Sequence, residues 1–283
     1  MLLHRYFASH ADTTLKEQRL LLAKPSSFND PFEFIHQNVG EWTTEKMERY
    51  LRSPLVMKGL REQLRGETDE NATRAIDSLL RKVASNPRLL AELFLKMKLP
   101  IPPADHNFCH KVADENLRLC CFSECDIDHD SEMLLWSHYA DKHKGVRIEF
   151  VFEQIHSDVA YRVDKVTYSP HRVPLDYTEI TSDSHFSDAV SAVSRTKSTA
   201  WKYEEEWRII VFRRPETDEL FASGEKCYFP FEPDLVRNID FGINCPQTTI
   251  DAVRSIVEST YPHVTIRKAI RHPNLFSIAY VQL

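Results

Sequence analysis

Residues 197–212 read KSTAWKYEEEWRIIVF, and this stretch decides the fold. Its end, residues 209–212, presents apolar side chains to both faces of a strand, which is typical of a strand buried on both sides. Residues two apart in a strand share a face, so we predict that Glu204 and Glu206 leave this central strand on the same side. Carboxylates are costly beside an apolar core. A pair of them flanked by tryptophan and tyrosine therefore indicates a candidate site.

The composition is that of an ordinary globular protein. The chain has 283 residues, a net charge of −6, 42% hydrophobic residues and 28% charged residues. This length predicts one large domain or two small ones. The negative charge gives no general affinity for nucleic acid, although it leaves room for a local basic groove, so a nucleic-acid partner is not excluded.

The sequence carries no membrane or export signal that we identify. No apolar run approaches the ~20 residues that a membrane helix needs. The start, MLLHRYFASHADTT, lacks the basic region, apolar core and cleavage site of a signal peptide. We therefore expect a cytoplasmic protein with no membrane partner.

The cysteines predict neither disulfides nor a metal centre. Six cysteines in a chain of this length form no disulfide framework. Cys120, Cys121 and Cys125 lie near His129, but a second paired cluster is missing, which favours core thiols over zinc. The acidic loop at residues 126–130 lacks the glycine and the distal glutamate of a calcium loop.

Apolar periodicity predicts a single α+β domain over residues 1–283. We expect a central mixed β-sheet flanked by helices. Its strands are predicted near residues 2–7, 117–123, 146–152, 159–168 and 206–212. Helical patterns dominate residues 41–104, which we interpret as a helical insertion at one edge of the domain.

A helix is also predicted from Ser131 to His143. Ser131 suits the N-cap, and a glycine follows the predicted end. Trp136 and Tyr139 should share its inward face with Ala140. Core packing alone would explain these aromatic residues, whereas a site role requires that Tyr139 line a cleft near the glutamates.

Four islands of sequence carry a resemblance to a known family. They read LLHRYF at 2–7, FNDPFEF at 28–34, CFSE at 121–124 with WSHYADKHKGVRIEF at 136–150, and KSTAWKYEEEWRII at 197–210. In this order they resemble a widespread bacterial family catalogued only as a domain of unknown function. Its members tend to show an N-D-P-F-E turn, a C-F-S strand, a tryptophan–tyrosine helix and a Y-E-x-E-W-R strand. The resemblance covers nearly the whole chain and implies no agreed activity.

A looser resemblance is to ADP-ribosyltransferases. These enzymes place a His or Arg on the first strand, a serine or tyrosine motif on a middle strand, and a catalytic Glu at the start of a later strand. His4, Ser123 and Glu206 follow that order here. The resemblance implies an ADP-ribosyltransferase-like fold, NAD as the cofactor, and a macromolecular substrate in toxin or antiphage defence.

The same resemblance implies a role for each candidate residue. Glu206 would stabilise the oxocarbenium-like ribosyl cation and Glu204 would orient the acceptor, with His4 as a third catalytic residue. The expected NAD-binding residues are Arg5, Tyr6, Ser123, Tyr139 and Trp201. Cys121-Phe122-Ser123 stands where one clade of these enzymes carries S-T-S.

Two other interpretations stay open at this point. The first is a metal-dependent nuclease, in which Asp30, Glu33, Glu204 and Glu206 would gather around Mg²⁺, because hard cations prefer carboxylate ligands. The second is a binding or sensing module without catalysis. In that case the glutamates mark an ordinary strand entrance, and the N-D-P turn is a structural corner.

Overall fold

A computed structural model provides the structure of the protein. It describes residues 1–39, 41–53, 74, 78, 81–82, 85–96, 106–125, 127–152, 161–176, 179–180, 182–222 and 226–283. Much of the predicted helical insertion at 41–104 lies outside these residues. No helix within the described ranges is long and apolar enough to cross a membrane.

The described part of the chain contains both strands and helices. The strands are β1 (Leu2–Phe7), β2 (Arg19–Leu22), β3 (Gln37–Asn38), β4 (Leu117–Glu124), β5 (Val146–Val151), β6 (Tyr161–Lys165), β7 (Thr167–Ser169), β8 (Pro174–Leu175), β9 (Thr196–Ser198), β10 (Glu206–Phe212), β11 (Cys227–Pro230), β12 (Val236–Phe241), β13 (Thr265–Arg271) and β14 (Ile278–Gln282). The helices are α1 (Ala11–Glu17), α2 (Thr44–Arg52), α3 (Pro87–Lys96), α4 (His106–Asn116), α5 (His129–Tyr139), α6 (Asp183–Ser194), α7 (Glu219–Ala222) and α8 (Gln247–Thr260).

An eight-stranded mixed sheet forms the centre of the fold. Its order is β14-β13-β12-β5-β1-β4-β10-β6, and β12 and β13 pair in parallel while the other neighbours are antiparallel. Each of the five predicted strand regions contributes one strand to this sheet. The end of the fourth region forms β7, which pairs with β9 in a separate two-stranded sheet. The predicted α+β class with a central mixed sheet is confirmed.

One face of the sheet carries the main apolar core. Leu3 on β1, Phe122 on β4 and Ile209 on β10 belong to one buried cluster. Helices α1 and α8 contribute Leu15 and Val253 to the same cluster. Neighbouring residues in a strand point to opposite faces. His4, Ser123 and Arg208 are next to these core residues in the chain, so the second, polar face of the sheet carries buried polar side chains.

The described chain divides into two compact units. The first consists of Met1–Pro31, Asp114–Pro170 and Lys197–Leu283, and it contains the whole eight-stranded sheet. The second consists of Phe32–Ala113 and His171–Thr196. In the second unit α2 packs on α3 through Met47, Leu51 and Ala91. The predicted insertion at 41–104 falls within this second unit, and the prediction of a single domain stays a prediction.

Helix α5 begins and ends before its predicted bounds. Asp128 caps it by accepting a hydrogen bond from the Ser131 backbone N–H at 2.8 Å. Trp136 is fully buried, as expected for the inward face, and its indole donates to the Tyr280 hydroxyl. Gly145 lies just beyond, where an added Cβ would come within 1.9 Å of the Phe7 carbonyl oxygen. The close approach of β1 explains the glycine.

Candidate active site

A row of polar side chains crosses the polar face of the sheet. Glu206 on β10 is directly opposite Ser123 on β4, which is directly opposite His4 on β1. His4 in turn pairs with Glu149 on β5, and Glu149 with Asn238 on β12. Directly opposite residues point to the same face. The register therefore brings the three residues of the ADP-ribosyltransferase comparison into one line over three adjacent strands.

Lys197 joins the two predicted glutamates. Its Nζ donates to Glu204 Oε2 at 2.7 Å and to Glu206 Oε2 at 3.0 Å. Arg208 also donates to Glu206, from Nε to Oε1 at 2.7 Å and from Nη2 to Oε2 at 3.1 Å. All four side chains are buried, with exposures from 0% to 4%. Buried charges persist only when they are paired, and these are paired closely.

The prediction that Glu204 and Glu206 share a face of one strand is wrong. Residues Thr199–Glu204 form a 3₁₀ helix, and Glu205 has a left-handed backbone with φ of 40°. Strand β10 begins only at Glu206. The turn at Glu205 changes the chain direction, so strand alternation does not apply across it. Both carboxylates nevertheless contact Lys197.

The two carboxylates have pKa values shifted in opposite directions. Burial raises the pKa of Glu204 to about 7, and the charge of Glu206 acts in the same direction against the attraction of Lys197. Burial also acts to raise the pKa of Glu206, but Arg208 and Lys197 outweigh it and hold that pKa at about 2. Glu206 is therefore ionised at neutral pH, whereas Glu204 exchanges its proton there.

Aromatic residues contact Glu204 and Lys197. The Tyr139 hydroxyl, at the end of α5, donates to Glu204 Oε1 at 2.5 Å and accepts from Asn29 Nδ2 at 3.5 Å. Trp201 packs beside the lysine, with Lys197 Nζ 5.0 Å from its ring centroid. Tyr139 thus lies where the sequence places it, and Trp201 reaches the cluster through Lys197.

A cavity of about 200 Å³ opens onto the cluster. Its lining includes both glutamates and most of the residues predicted for the site, namely His4, Arg5, Tyr6, Ser123, Tyr139, Glu204 and Glu206, together with Lys197. Trp201 does not belong to this lining. Polar groups that converge on one cavity are typical of a ligand site.

The Arg5 guanidinium contacts other residues of the protein. It lies between the rings of Phe7 and Phe122, at 5.3 and 5.8 Å. It also donates to the Cys121 carbonyl and the Cys120 sulfur, both at 2.8 Å. These partners place the guanidinium on the apolar side of β1, as alternation with His4 requires. Binding of NAD by Arg5 stays an untested prediction that these contacts do not favour.

The sequence prediction missed the residues beyond His4 in the row. His4 Nε2 lies 3.2 Å from Glu149 Oε2, and Cys125 Sγ lies 3.9 Å from the same oxygen. Alternating charges in the buried stretch VRIEFV at 146–151 were the available signal, because they mark a strand with one polar face. Within the described residues, His4, Cys125 and Glu149 are the one group of His, Cys, Asp and Glu with metal-ligand spacing. Asp30, Glu204 and Glu206, the carboxylates of the nuclease hypothesis that lie in the first unit, do not form such a group.

Comparison with known proteins assigns no chemistry. Residues 135–209 match the model of a family described as "Protein of unknown function (DUF2971)". No curated protein and no solved structure matches the chain. The matched stretch contains Tyr139, Lys197, Glu204 and Glu206, and it leaves out His4. The chain is thus similar, over the part that carries the buried carboxylate pair, to a family of unknown function.

Proposed function

We propose that the protein cleaves the nicotinamide–ribose bond of NAD and passes the ADP-ribosyl group to water or to a hydroxyl on a macromolecule. The observation that carries this proposal is the pair of buried carboxylates that share one lysine at the wall of a cavity, with pKa values shifted in opposite directions. Environments that push two pKa values apart mark a division of roles between the groups. The looser likeness to ADP-ribosyltransferases extends the proposal to a role in toxin or antiphage defence.

Glu204 acts as the general base in this scheme. The C1′–N bond breaks, its electron pair stays on the nicotinamide nitrogen, and nicotinamide leaves as a neutral molecule. The acceptor oxygen then bonds to C1′ and loses its proton to Glu204. A base is most effective when its pKa lies near the working pH, and the pKa of Glu204 is raised to about 7.

Glu206 supplies a fixed negative charge beside the ribosyl cation. Its pKa of about 2 keeps it ionised at every working pH. Arg208 and Lys197 both form ion pairs with Glu206. We therefore assign Glu206 a second role, which is to hold Lys197 next to Glu204. A preorganised charge in a buried site stabilises the transition state without reorganisation.

The cavity sets a size limit on what enters. At about 200 Å³ it admits a ring-sized part of the substrate rather than a whole dinucleotide. We assign it to the nicotinamide–ribose end of NAD, with His4 and Ser123 in reach of ribose hydroxyls and Tyr139 beside Glu204. The adenosine end then lies outside the cavity.

Nicotinamide release tests the proposal directly. The purified chain is incubated with NAD, alone and with protein and RNA from a lysate as acceptors, and nicotinamide is quantified by chromatography. We expect release by the wild type and a loss of 10²-fold or more in Glu204→Gln, as for removal of a catalytic base. Glu205→Gln, the neighbouring glutamate outside the cavity lining, serves as the matched control and should retain activity.

Two results would count against this function. The first is a wild type that releases no nicotinamide under any of these conditions. The second is equal release by Glu204→Gln and Glu205→Gln, which would make the buried pair a structural device of a binding module.

A further inference from the structure

A second cluster on the polar face has the composition of a transition-metal site. It consists of His4 on β1, Glu149 on β5, and Cys125 just after β4. One ligand atom from each lies within 4.8 Å of the other two. His4 and Glu149 are buried, with exposures of 4% and 7%, and Cys125 is half-buried. An imidazole and a carboxylate are costly to bury unless they are partnered, and here they lie together with a thiol.

Two of the three separations between the ligand atoms are close to those of tetrahedral coordination. Zinc bonds of about 2.0 Å to nitrogen and oxygen and 2.3 Å to sulfur imply N···O and O···S separations of about 3.3 and 3.6 Å. The corresponding separations are 3.2 Å from His4 Nε2 to Glu149 Oε2 and 3.9 Å from Cys125 Sγ to the same oxygen. The third separation, from His4 Nε2 to Cys125 Sγ, lies within 4.8 Å.

We propose that His4, Cys125 and Glu149 bind one Zn²⁺ ion per chain through Nε2, Sγ and a carboxylate oxygen. Nitrogen, sulfur and oxygen ligands together favour zinc over magnesium or calcium, which prefer oxygen alone. Three protein ligands leave a fourth position for water or a substrate atom. This proposal stands independently of the NAD chemistry above.

The surroundings of the cluster support the assignment. Asn238 Nδ2 donates to Glu149 Oε1 at 2.6 Å, which holds the carboxylate and leaves Oε2 directed at His4. Such outer contacts orient metal ligands.

A metal ion bound to Nε2 would fix the tautomer of the His4 ring. The ring proton then lies on Nδ1, an atom that is buried and has no hydrogen-bond partner within the described residues. Because His4 also borders the 200 Å³ cavity, the ion would act as a structural anchor for one wall of the candidate active site.

Cobalt provides a probe that reports the ligands themselves. The full chain is stripped with a chelator and titrated with Co²⁺, and zinc is then added in competition, with metal content measured by mass spectrometry. We expect one ion per chain, a thiolate-to-cobalt charge-transfer band in the near ultraviolet, and loss of that band on adding zinc. Cys125→Ser should remove the band, and Glu149→Gln should weaken zinc affinity by about 100-fold or more.

Two further variants keep the experiment decisive. Cys245→Ser changes a buried thiol that is not in the cluster and should bind like the wild type. Asn238→Ala leaves the ligands intact and should weaken zinc binding by about 10-fold. Circular dichroism checks that each variant is folded. A wild type that binds no ion at micromolar concentrations, or that binds cobalt without the thiolate band, overturns the proposal. Equal zinc affinity in the wild type and a folded Glu149→Gln overturns it as well.

Discussion

Arg208 and Glu206 form a bidentate ion pair along a single strand, two residues apart. The guanidinium is fully buried, and it also lies 5.4 Å from the centroid of the Phe28 ring. A buried arginine cannot give up its proton, so its stability depends on the carboxylate beside it. Glu206 therefore supports the fold as well as the candidate site.

Glu206→Gln should destabilise the protein by about 3 kcal/mol, because it leaves Arg208 and Lys197 with one carboxylate fewer in a buried setting. Urea unfolding followed by circular dichroism measures the change. Glu205→Gln is the control: that side chain is 32% exposed and pairs with Lys165 at the surface, so its change should stay within about 0.5 kcal/mol. Equal stability of the two variants would show that the buried pair contributes nothing special.

Stability should depend on pH through Glu204. Its pKa is raised from 4.5 to about 7 by burial and by Glu206, against Lys197 and the Tyr139 hydroxyl. The folded state therefore binds the extra proton, and this contribution is full below pH 4.5 and lost as the pH rises through 7. The difference in unfolding free energy between wild type and Glu204→Gln should shift by about 3 kcal/mol against the wild type between pH 5 and 8. A difference that is constant over this range would contradict the assignment.

The pH profile of NAD cleavage should report the same group. As a base, Glu204 must be deprotonated, so kcat/KM should fall as the pH drops through about 7. The hydrogen bond from Tyr139 lowers the pKa of Glu204. Tyr139→Phe should therefore raise the pH at which kcat/KM falls. Tyr203→Phe, which has no hydroxyl contact to Glu204 among the described hydrogen bonds, should leave that pH unchanged. An unchanged pH in Tyr139→Phe argues against Glu204 as the base.

Gly145→Ala should destabilise the fold by about 3 kcal/mol. The added methyl would lie 1.9 Å from the Phe7 carbonyl oxygen, so the end of β1 must move to admit it. Thermal and urea unfolding measure the loss. Lys144→Ala, one residue earlier and exposed, should change stability by no more than about 0.5 kcal/mol. A stable Gly145→Ala would mean that β1 tolerates displacement at this end.

The strands of the central sheet can be predicted from the sequence, because the pattern of apolar residues along a strand is a local signal. The stretch at 146–151 shows alternation of apolar and charged residues, the stretch at 206–212 shows instead an apolar run bounded by polar residues, and both are strands. The site is less accessible, because its geometry depends on register between distant strands. Glu206, Ser123 and His4 were chosen by analogy and order, and only the strand pairing places them in one row.

Glu204 shows why local rules fail at such a site. Strand alternation placed it beside Glu206, and it does contact the same lysine, but a left-handed residue at Glu205 achieves this rather than a shared strand face. Because residues 204–206 are all glutamate, the sequence does not indicate which of them adopts the left-handed backbone. Glu149 was missed for another reason. The alternation in residues 146–151 indicates that Glu149 lies on a polar face, but its partners His4 and Asn238 lie 145 and 89 residues away in the chain, so no local pattern predicts these contacts.

The position of β1 in the middle of the sheet has a consequence for synthesis. His4 is synthesised well before Ser123 on β4, which is its first partner strand in the chain. At elongation rates of about 5–20 residues per second, β1 waits roughly 6 to 24 s for that partner. Until then Leu3 and Phe7, both buried in the finished protein, have no strand of the central sheet to pair with. The nascent chain thus passes through a period in which it needs protection from aggregation and in which its row of polar residues does not yet exist.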